Sequence, residues 1–191
     1  MANKQRILVQ AFARHLQAVE ESMHQLIPAV ERGAEVLLKA LKRGNKILVC
    51  GNGGSAADSQ HFAAELVGRY KSERRARAAI ALTTDTSTLT SVGNDYGFER
   101  IFARQIEALG RAGDVLVALS TSGASKNVLA AVAQARKQKM KVVILTGAGG
   151  TLLAKKSDVA VVIPSRETAR IQELHELVYH SWCEYIDAQH G

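Results

Sequence analysis

The chain has 191 residues, 47% of them hydrophobic, and a formal net charge of +7 at pH 7. This length and composition suit one globular domain with a sizeable core, and no apolar run approaches the ~20 residues that a bilayer span requires. The two cysteines, Cys50 and Cys183, are too few and too scattered for a disulfide framework or a cysteine-based zinc site. We expect Cys50 to be a small core residue at the end of a buried strand.

The positive charge is concentrated in residues 69–77. A nucleic-acid surface is one interpretation, but the segment has few aromatic residues and no DNA- or RNA-binding signature accompanies it, so we expect a solvated loop and no nucleic-acid partner. A basic surface would also attract an anionic, phosphorylated metabolite. The first residues show neither a secretory apolar region nor a cleavage site, which predicts a cytoplasmic protein with no membrane partner.

The N-terminal region is predicted to be helical from about residue 4 to residue 41. Pro28 predicts a break between two helices. So long an apolar stripe ahead of the first strand suits packing against another subunit, and packing on the chain's own sheet explains it equally well. We assign residues 1–44 to N-terminal helices that promote oligomerisation, as part of the same domain as residues 45–191. The apolar positions at helical spacing are Leu8, Phe12, Leu16, Val19, Met23, Leu26, Val30, Ala34, Leu37 and Leu41.

Strands and helices then alternate along the rest of the chain. Almost wholly apolar strands, such as residues 115–119, indicate burial on both faces. The predicted fold class is α/β, a three-layer, doubly wound parallel sheet of five strands with an N-terminal helical extension and ligands at the carboxyl ends of its strands. The predicted strands are Lys46–Cys50, Ala78–Thr83, Asp114–Ser120, Lys141–Thr146 and Asp158–Pro164. The predicted helices are Ala56–Tyr70, Glu99–Leu109, Lys126–Lys137, Thr151–Lys156 and Thr168–Ala188.

The stretch 51–66 follows the first predicted strand and begins a helix. Its glycines let a ligand approach the backbone closely, and the free N–H groups of a helix start favour an anion. His61 and Glu65 are four residues apart and therefore lie on one face of that helix. Glu65 lies among small apolar residues, where an unpartnered carboxylate would be costly to bury. This element therefore offers both a binding turn and candidate reactive groups.

A second turn, residues 120–127, follows the third predicted strand and packs several hydroxyl groups ahead of a helix. The hydroxyls could serve only as an N-cap, because serine and threonine are common there. Their number exceeds what capping requires and matches what a phosphate monoester accepts, so we favour phosphate binding. The turn is not a P-loop, since the motif GxxxxGK[ST] is absent.

Four segments together resemble the sugar-isomerase (SIS) domain family, and within it the isomerases that interconvert sedoheptulose 7-phosphate and D-glycero-D-manno-heptose 7-phosphate. They read CGNGGSAADSQHFAAELVGRY, LTTDTSTLTSVGNDYGF, GRAGDVLVALSTSGAS and ARIQELHELVYH, and they cover nearly all of the chain after Gly44. The resemblance implies the first step of nucleotide-activated heptose synthesis, for a lipopolysaccharide core or a capsule.

The resemblance also implies which residues bind the substrate. Asn94 and Asp95 would contact sugar hydroxyls, and Glu65 and Gln172 would also touch the substrate. Ala169 occupies a position where some relatives carry an aspartate, so we assign no role there. The residues implied to line the sugar phosphate are Asn52, Gly53, Gly54 and Ser55, and those implied to bind the phosphate are Ser120, Thr121, Ser122 and Ser125.

Catalysis and metal binding are implied at an overlapping set of residues. Glu65 and His180 match the family's acid/base pair, and one weakly held zinc ion per subunit is implied at His61, Glu65, Gln172 and His180. The family is described as a homotetramer with active sites at subunit contacts. Moving a carbonyl between C1 and C2 passes through an enediol, which needs a base, a proton shuttle and stabilisation of an oxyanion. A carboxylate, an imidazole and a metal ion meet those needs.

The spacing of Gln172 and His180 leaves two arrangements open. Eight residues of helix separate their Cα atoms by ~12 Å, with a rotation of ~80°. The two side chains can therefore meet one ion only if it lies between them and both are extended, or the two residues come from different copies of the chain. We expect Glu65 to bind the metal through one oxygen and to act as a base through the other.

Two other functions remain open from sequence. One is a non-catalytic SIS-domain protein that associates with the replication initiator, in which the position of Glu65 is not a carboxylate. The other is the sugar-phosphate-sensing domain of a transcription regulator, although no helix-turn-helix segment is attached. The combination of His61, Glu65, Gln172 and His180 favours an enzyme.

Overall fold

A computed structural model of the chain describes residues 3–189, with side chains from Lys4 onward. Five parallel strands form one sheet in the order β2-β1-β3-β4-β5. No helix within residues 3–189 is long and apolar enough to cross a membrane. The strands are β1 Ile47–Cys50, β2 Ala79–Ala81, β3 Val115–Ser120, β4 Lys141–Gly147 and β5 Val159–Ile163. The helices are α1 Asn3–Lys42, α2 Gly54–Val67, α3 Thr86–Tyr96, α4 Ile101–Leu109, α5 Lys126–Lys137, α6 Thr151–Ala154 and α7 Thr168–Ala188, with a 3-10 turn over Phe98–Arg100.

The strands alternate their apolar side chains between two cores, one on each face of the sheet. Ile47 and Val49 face α1, α2 and α7, whereas Leu48 and Cys50 face the side covered by α4 and α5. All four side chains are fully buried, which confirms Cys50 as a core residue. The predicted fold class, a doubly wound parallel sheet with helices on both faces, is confirmed.

The helix α1 continues through Pro28, so the predicted break at this residue was wrong. A proline inside a helix removes one backbone hydrogen bond and crowds the carbonyl four residues earlier. Tertiary packing on both sides of the proline compensates. Leu26 is buried before it, and after it the carbonyl of Val30 accepts a hydrogen bond from Nε1 of Trp182 in α7 at 2.8 Å.

The apolar stripe of α1 divides into two halves with different surroundings. Packing on the chain's own sheet is confirmed for the second half, where Ala34, Leu37 and Leu41 are buried. The first half exposes its large apolar side chains, and Phe12 is 75% exposed. The predicted boundary at residues 44 and 45 lies in the turn between α1 and β1, and the ranges 1–44 and 45–191 extend past the described residues at both ends.

Most predicted bounds differ from the observed ones by a few residues, and α5 and α7 match throughout. The sequence interpretation did not include α3. Its apolar side chains are few, and Leu89 and Val92 are only partly buried against the core, so its apolar stripe is too short to be recognised among the surrounding serine and threonine residues. Asp85 caps α3, since its carboxylate accepts the backbone N–H of Thr88 at 2.9 Å.

Residues 68–78 connect α2 to β2, in the segment predicted to be a solvated loop. The prediction was wrong for Arg74, whose side chain is only 4% exposed. Its Nε donates to Asp187 in α7 at 2.7 Å, and its terminal nitrogens donate to the carbonyls of Glu65 at 2.8 Å and Leu66 at 3.0 Å. Arg74 therefore satisfies the last carbonyls of α2 and joins that helix end to α7.

Candidate active site

The two predicted binding turns lie side by side at the carboxyl ends of β1 and β3. The strand order reverses between these neighbouring strands, which is where doubly wound folds bind ligands. Asn52 follows β1 and Asn127 begins α5, and their side-chain amides exchange two hydrogen bonds of 2.8 Å. Ser55 is buried in the first turn of α2. Each asparagine amide has a second N–H, and Asn52 Oδ1 has a second lone pair, so the pair is fixed and can still bind a ligand.

The second turn is a compact hydroxyl cluster. The hydroxyls of Ser120 and Ser125 lie 3.3 Å apart, and Ser120 Oγ accepts the backbone N–H of Gly123 at 3.1 Å. Gly123 has φ +66°, and a Cβ there would overlap Gly150, so only glycine suits this turn. Ser125 occupies the N-cap of α5 but its side chain makes no capping hydrogen bond. Capping alone therefore does not explain this serine.

A cleft of about 260 Å³ adjoins the second turn. It is lined by Thr121 and Ser122, by Ser165 and Thr168, and by Arg166. Hydroxyl groups together with a guanidinium group suit a phosphate, because arginine presents several donors and a permanent charge. Sequence reasoning missed Arg166, since nothing in its local pattern separates it from an ordinary surface arginine.

The helices α2 and α7 run side by side, and their contacts follow the same order along both. The side-chain amide of Gln172 lies against Gly54 at the start of α2, in space that a Cβ at this position would occupy. The Nε2 of Gln172 lies 3.5 Å from Oδ1 of Asp58. His61 and His180 meet further along the two helices. Gln172 and His180 therefore contact different turns of α2 within one chain.

His61 is the centre of a cluster of titratable side chains. Its Nε2 lies 3.2 Å from Oε1 of Glu65 and 3.4 Å from Nε2 of His180. On the other side of the ring, Nδ1 lies 3.0 Å from the hydroxyl of Tyr179 and 3.6 Å from Oε1 of Glu176. Glu65 and His180, the predicted acid/base pair, therefore both lie next to Nε2 of His61.

The donor set of this cluster fits a zinc ion. His61, Glu176 and His180 each offer a ligand atom, and the three atoms lie within 4.8 Å of one another. Glu65 adds a carboxylate oxygen beside His61. Two imidazole nitrogens with carboxylate oxygens are ligands that zinc accepts. A possible metal-binding group is therefore present, and it includes Glu176, which sequence reasoning did not select.

Asp58 is a buried carboxylate next to this cluster. Its Oδ2 is buried without a hydrogen-bond partner among the described residues. Burial raises the pKa of Asp58 to about 6, against the opposing effect of the hydrogen bond from Gln172. Burial also raises the pKa of Tyr179, so its hydroxyl keeps its proton. The start of the α2–α7 contact is therefore a desolvated region that favours a neutral carboxyl or a nearby cation.

The remaining predicted substrate contacts lie at the end of α3. The side chains of Asn94 and Asp95 are exposed and bind each other, with Asn94 Nδ2 donating to Asp95 Oδ1 at 2.8 Å. Gly53 and Gly54 are exposed in the first turn, with the carbonyl of Gly53 accepting the backbone N–H of Ala56 at 3.0 Å. The two turns lie at the carboxyl edge of the sheet and Gln172 reaches the start of α2 there, whereas His61, Glu65 and His180 lie further along the α2–α7 contact. Asn94 and Asp95 have no hydrogen bond to either turn in the described part of the chain.

By its position on a long amphipathic helix, Tyr179 would be interpreted as a packing residue. Its ring does pack, being fully buried with its centroid 5.4 Å from that of Phe62. Its hydroxyl nevertheless reaches His61, a contact that helical periodicity cannot reveal because it joins residues 118 positions apart.

Comparisons with known proteins agree with this arrangement. The sequence profile of the SIS domain matches residues 10–147. The chain is 60% identical over 142 residues to a phosphoheptose isomerase of Campylobacter jejuni, which covers 74% of this chain and 76% of the relative. It is 50% identical over 180 residues to one of Neisseria gonorrhoeae, covering 93% and 91%. The solved structure of phosphoheptose isomerase GmhA from Neisseria gonorrhoeae aligns with a TM-score of 0.93 and 48% identity, over 97% of this chain and 100% of that one.

Proposed function

The chain belongs to the SIS domain family and is an isomerase of heptose phosphates, and we propose that it converts sedoheptulose 7-phosphate to D-glycero-D-manno-heptose 7-phosphate through an enediol. The observation that carries the proposal is the contact of Glu65 and His180 with the same nitrogen of His61, whose helix begins at the first predicted binding turn. The product would enter nucleotide-activated heptose synthesis for a lipopolysaccharide core or a capsule, as the family resemblance implies.

The phosphate of the substrate binds at the second turn in this proposal. Its acceptors are the hydroxyls of Ser120, Thr121, Ser122 and Ser125, with the N-terminal N–H groups of α5. Arg166, on the wall of the adjoining cleft, neutralises part of the phosphate charge. The carbonyl end of the sugar then extends past Asn52, Gly53, Gly54 and Ser55 toward α2, where Gln172 binds it. Asn94 and Asp95 contact sugar hydroxyls.

Glu65 and His180 move the protons. Glu65 takes the proton from the carbon next to the carbonyl and returns it to the neighbouring carbon, and His180 transfers a proton between the two substrate oxygens. Glu65 contacts His61 through Oε1 at 3.2 Å, which fits a division of labour between its two carboxylate oxygens. Burial of the surrounding helix faces strengthens electrostatic interactions with the enediolate charge.

A zinc ion would be held by His61, Glu65, Gln172 and His180 in the proposed site. When bound, it supplies a positive charge that stabilises the developing oxyanion. Gln172 lies at the Asp58 end of the α2–α7 contact and Glu176 lies beside His61, so Glu176 is a further candidate for the ion's surroundings.

The proposed assembly is a homotetramer in the cytoplasm. Its support is the exposed apolar half of α1, because monomeric proteins rarely expose a contiguous apolar surface of this extent. The same face includes Leu177 of α7, which is 49% exposed. The exposed large apolar side chains of α1 are Ile7, Leu8, Val9, Phe12, Leu16, Met23 and Ile27.

Incubation of the purified chain with sedoheptulose 7-phosphate tests the proposed substrate. Anion-exchange chromatography separates ketose and aldose phosphates, and we expect an aldoheptose 7-phosphate to appear. A chelator should suppress turnover, and added Zn²⁺ should restore it. Fructose 6-phosphate serves as the control substrate of the same class. Turnover of fructose 6-phosphate without turnover of the heptose would contradict the proposed substrate, and full activity in the chelator would contradict the metal.

A further inference from the structure

The two ring nitrogens of His61 face different chemical surroundings. Nε2 faces the reactive side, 3.2 Å from Glu65 and 3.4 Å from His180. Nδ1 faces the protein, 3.0 Å from the hydroxyl of Tyr179 and 3.6 Å from the carboxylate of Glu176. The imidazole thus lies between Glu65 and His180 on one side and the oxygen atoms of Tyr179 and Glu176 on the other.

We propose that Tyr179 and Glu176 are positioning residues, which hold His61 by Nδ1 and so present an unprotonated Nε2 to the metal ion. A neutral imidazole carries one proton, and only the nitrogen without it can bind a metal. An acceptor at Nδ1 keeps the proton there, and metal-bound histidines in proteins commonly have such a partner. The inference rests on the proposed metal site and adds to it the control of the ring's tautomer and orientation.

Tyr179 is suited to this role because the core fixes its position. Its ring is fully buried against Phe62, with centroids 5.4 Å apart, and meets the His61 ring edge to face at 5.6 Å. The hydroxyl oxygen therefore cannot move away without repacking the core between α2 and α7. Its 3.0 Å distance from Nδ1 is that of a normal hydrogen bond.

Glu176 acts differently, because it is half-exposed and too distant for a hydrogen bond in this conformation. Its negative charge on the Nδ1 side favours a proton at that nitrogen and partial positive charge on the ring. Glu176 lies one helical turn before His180 in α7. This helix therefore supplies both the candidate ligand His180 and a group that orients His61 in α2.

Zinc affinity measured by competition with a chromogenic chelator tests the proposal without an activity assay. We expect Tyr179→Phe to weaken zinc binding 10- to 100-fold, the range typical for loss of such a partner, and Glu176→Gln to weaken it less. Tyr185→Phe is the matched control, since Tyr185 is a partly buried tyrosine of the same helix that packs on the core. Circular dichroism checks that each variant is folded. Wild-type affinity in a folded Tyr179→Phe variant would overturn the proposal.

The tautomer of His61 provides a second measurement that needs no variant of Tyr179. Long-range ¹H–¹⁵N spectra of the zinc-loaded chain, with the His61 signals assigned by their loss in His61→Ala, should show the proton on Nδ1. A proton on Nε2 would overturn the proposal even if Tyr179→Phe failed to fold. If the wild-type chain bound zinc no better than His61→Ala, both the metal site and this inference would fail. Isomerase activity without zinc would in that case leave the proposed reaction intact.

Discussion

Asn52 and Asn127 bind each other through both side-chain amides, each donating to the other at 2.8 Å. The pair joins the turn after β1 to the start of α5, across the point where the strand order reverses. Asn127 Oδ1 also accepts the backbone N–H of Val128 at 2.9 Å, so the pair is anchored to the first turn of α5. These hydrogen bonds hold the two turns together, and in the proposed site they set the distance between the phosphate and the reacting end of the substrate.

Glu65→Gln should abolish turnover and leave phosphate binding largely intact. The substitution keeps the side-chain volume and removes the base, while the phosphate turn lies on another element. We expect kcat to fall by at least about 10²-fold, the lower bound typical for loss of a general base, with inorganic phosphate inhibition unchanged. Glu73→Gln, in the exposed connection after α2, is the control. Retained turnover in Glu65→Gln would remove this residue from the mechanism.

Ser125→Ala distinguishes phosphate binding from helix capping. Because the Ser125 side chain makes no capping hydrogen bond, the free energy of unfolding should change by less than about 0.5 kcal/mol, well below the cost of losing a cap. The KM for the sugar phosphate should rise severalfold while the far-ultraviolet spectrum stays constant. A loss of about 1 kcal/mol in stability with an unchanged KM would instead identify the serine as a cap.

Because of His175, the fold should become less stable as the pH falls through the acidic range. It is fully buried, and burial lowers its pKa from 6.5 to about 4, with only partial opposition from the backbone of Thr146. Between these pKa values the unfolded chain binds a proton that the folded chain excludes, so stability is present above pH 6.5 and is lost as the pH falls toward 4. Protonation of this group alone should lower the free energy of unfolding by about 3 kcal/mol.

Urea unfolding at a series of pH values measures this contribution. His175→Leu should flatten the pH dependence between 6.5 and 4, because the group that binds the proton on unfolding is gone. His24→Gln, at an exposed position of α1, should leave the wild-type slope unchanged. An identical slope in His175→Leu would show that other groups cause the acid loss.

Phe12→Asp should dissociate the proposed oligomer. Phe12 is 75% exposed in the single chain, so the substitution should leave the fold of one chain unaffected but place a charge in the contact between copies. Light scattering after size-exclusion chromatography should report a smaller assembly. Leu152→Asp, at an exposed position of α6, is the control. An unchanged mass for Phe12→Asp would exclude this half of α1 from the interface.

The architecture was predictable from the sequence where residue patterns are regular. The run of residues 115–119 predicted a strand buried on both faces, and β3 is that strand in the centre of the sheet. Sequence patterns failed to predict the secondary structure where long-range contacts determine it. Pro28 should break a helix by local rules, yet contacts with α7 hold α1 together. The helix α3 presents only Leu89 and Val92 to the core, and both are partly buried, so periodicity did not reveal it.

The site could be predicted only in part for a related reason. Local spacing placed His61 and Glu65 on one helix face, and the structure finds them 3.2 Å apart. No spacing rule places Tyr179 or Glu176 beside His61, because those contacts depend on how α2 packs on α7. The proximity of Arg166 to the hydroxyl turn likewise follows from the tertiary fold.

Arg74 binds Glu65 through the main-chain carbonyl and leaves the carboxylate of that residue uninvolved. The contact with Arg74 therefore involves the backbone of residue 65 and not its side chain. A lineage could exchange the glutamate for another residue and keep the same architecture. Loss of the carboxylate would remove the proposed base and leave this link between α2 and α7 in place.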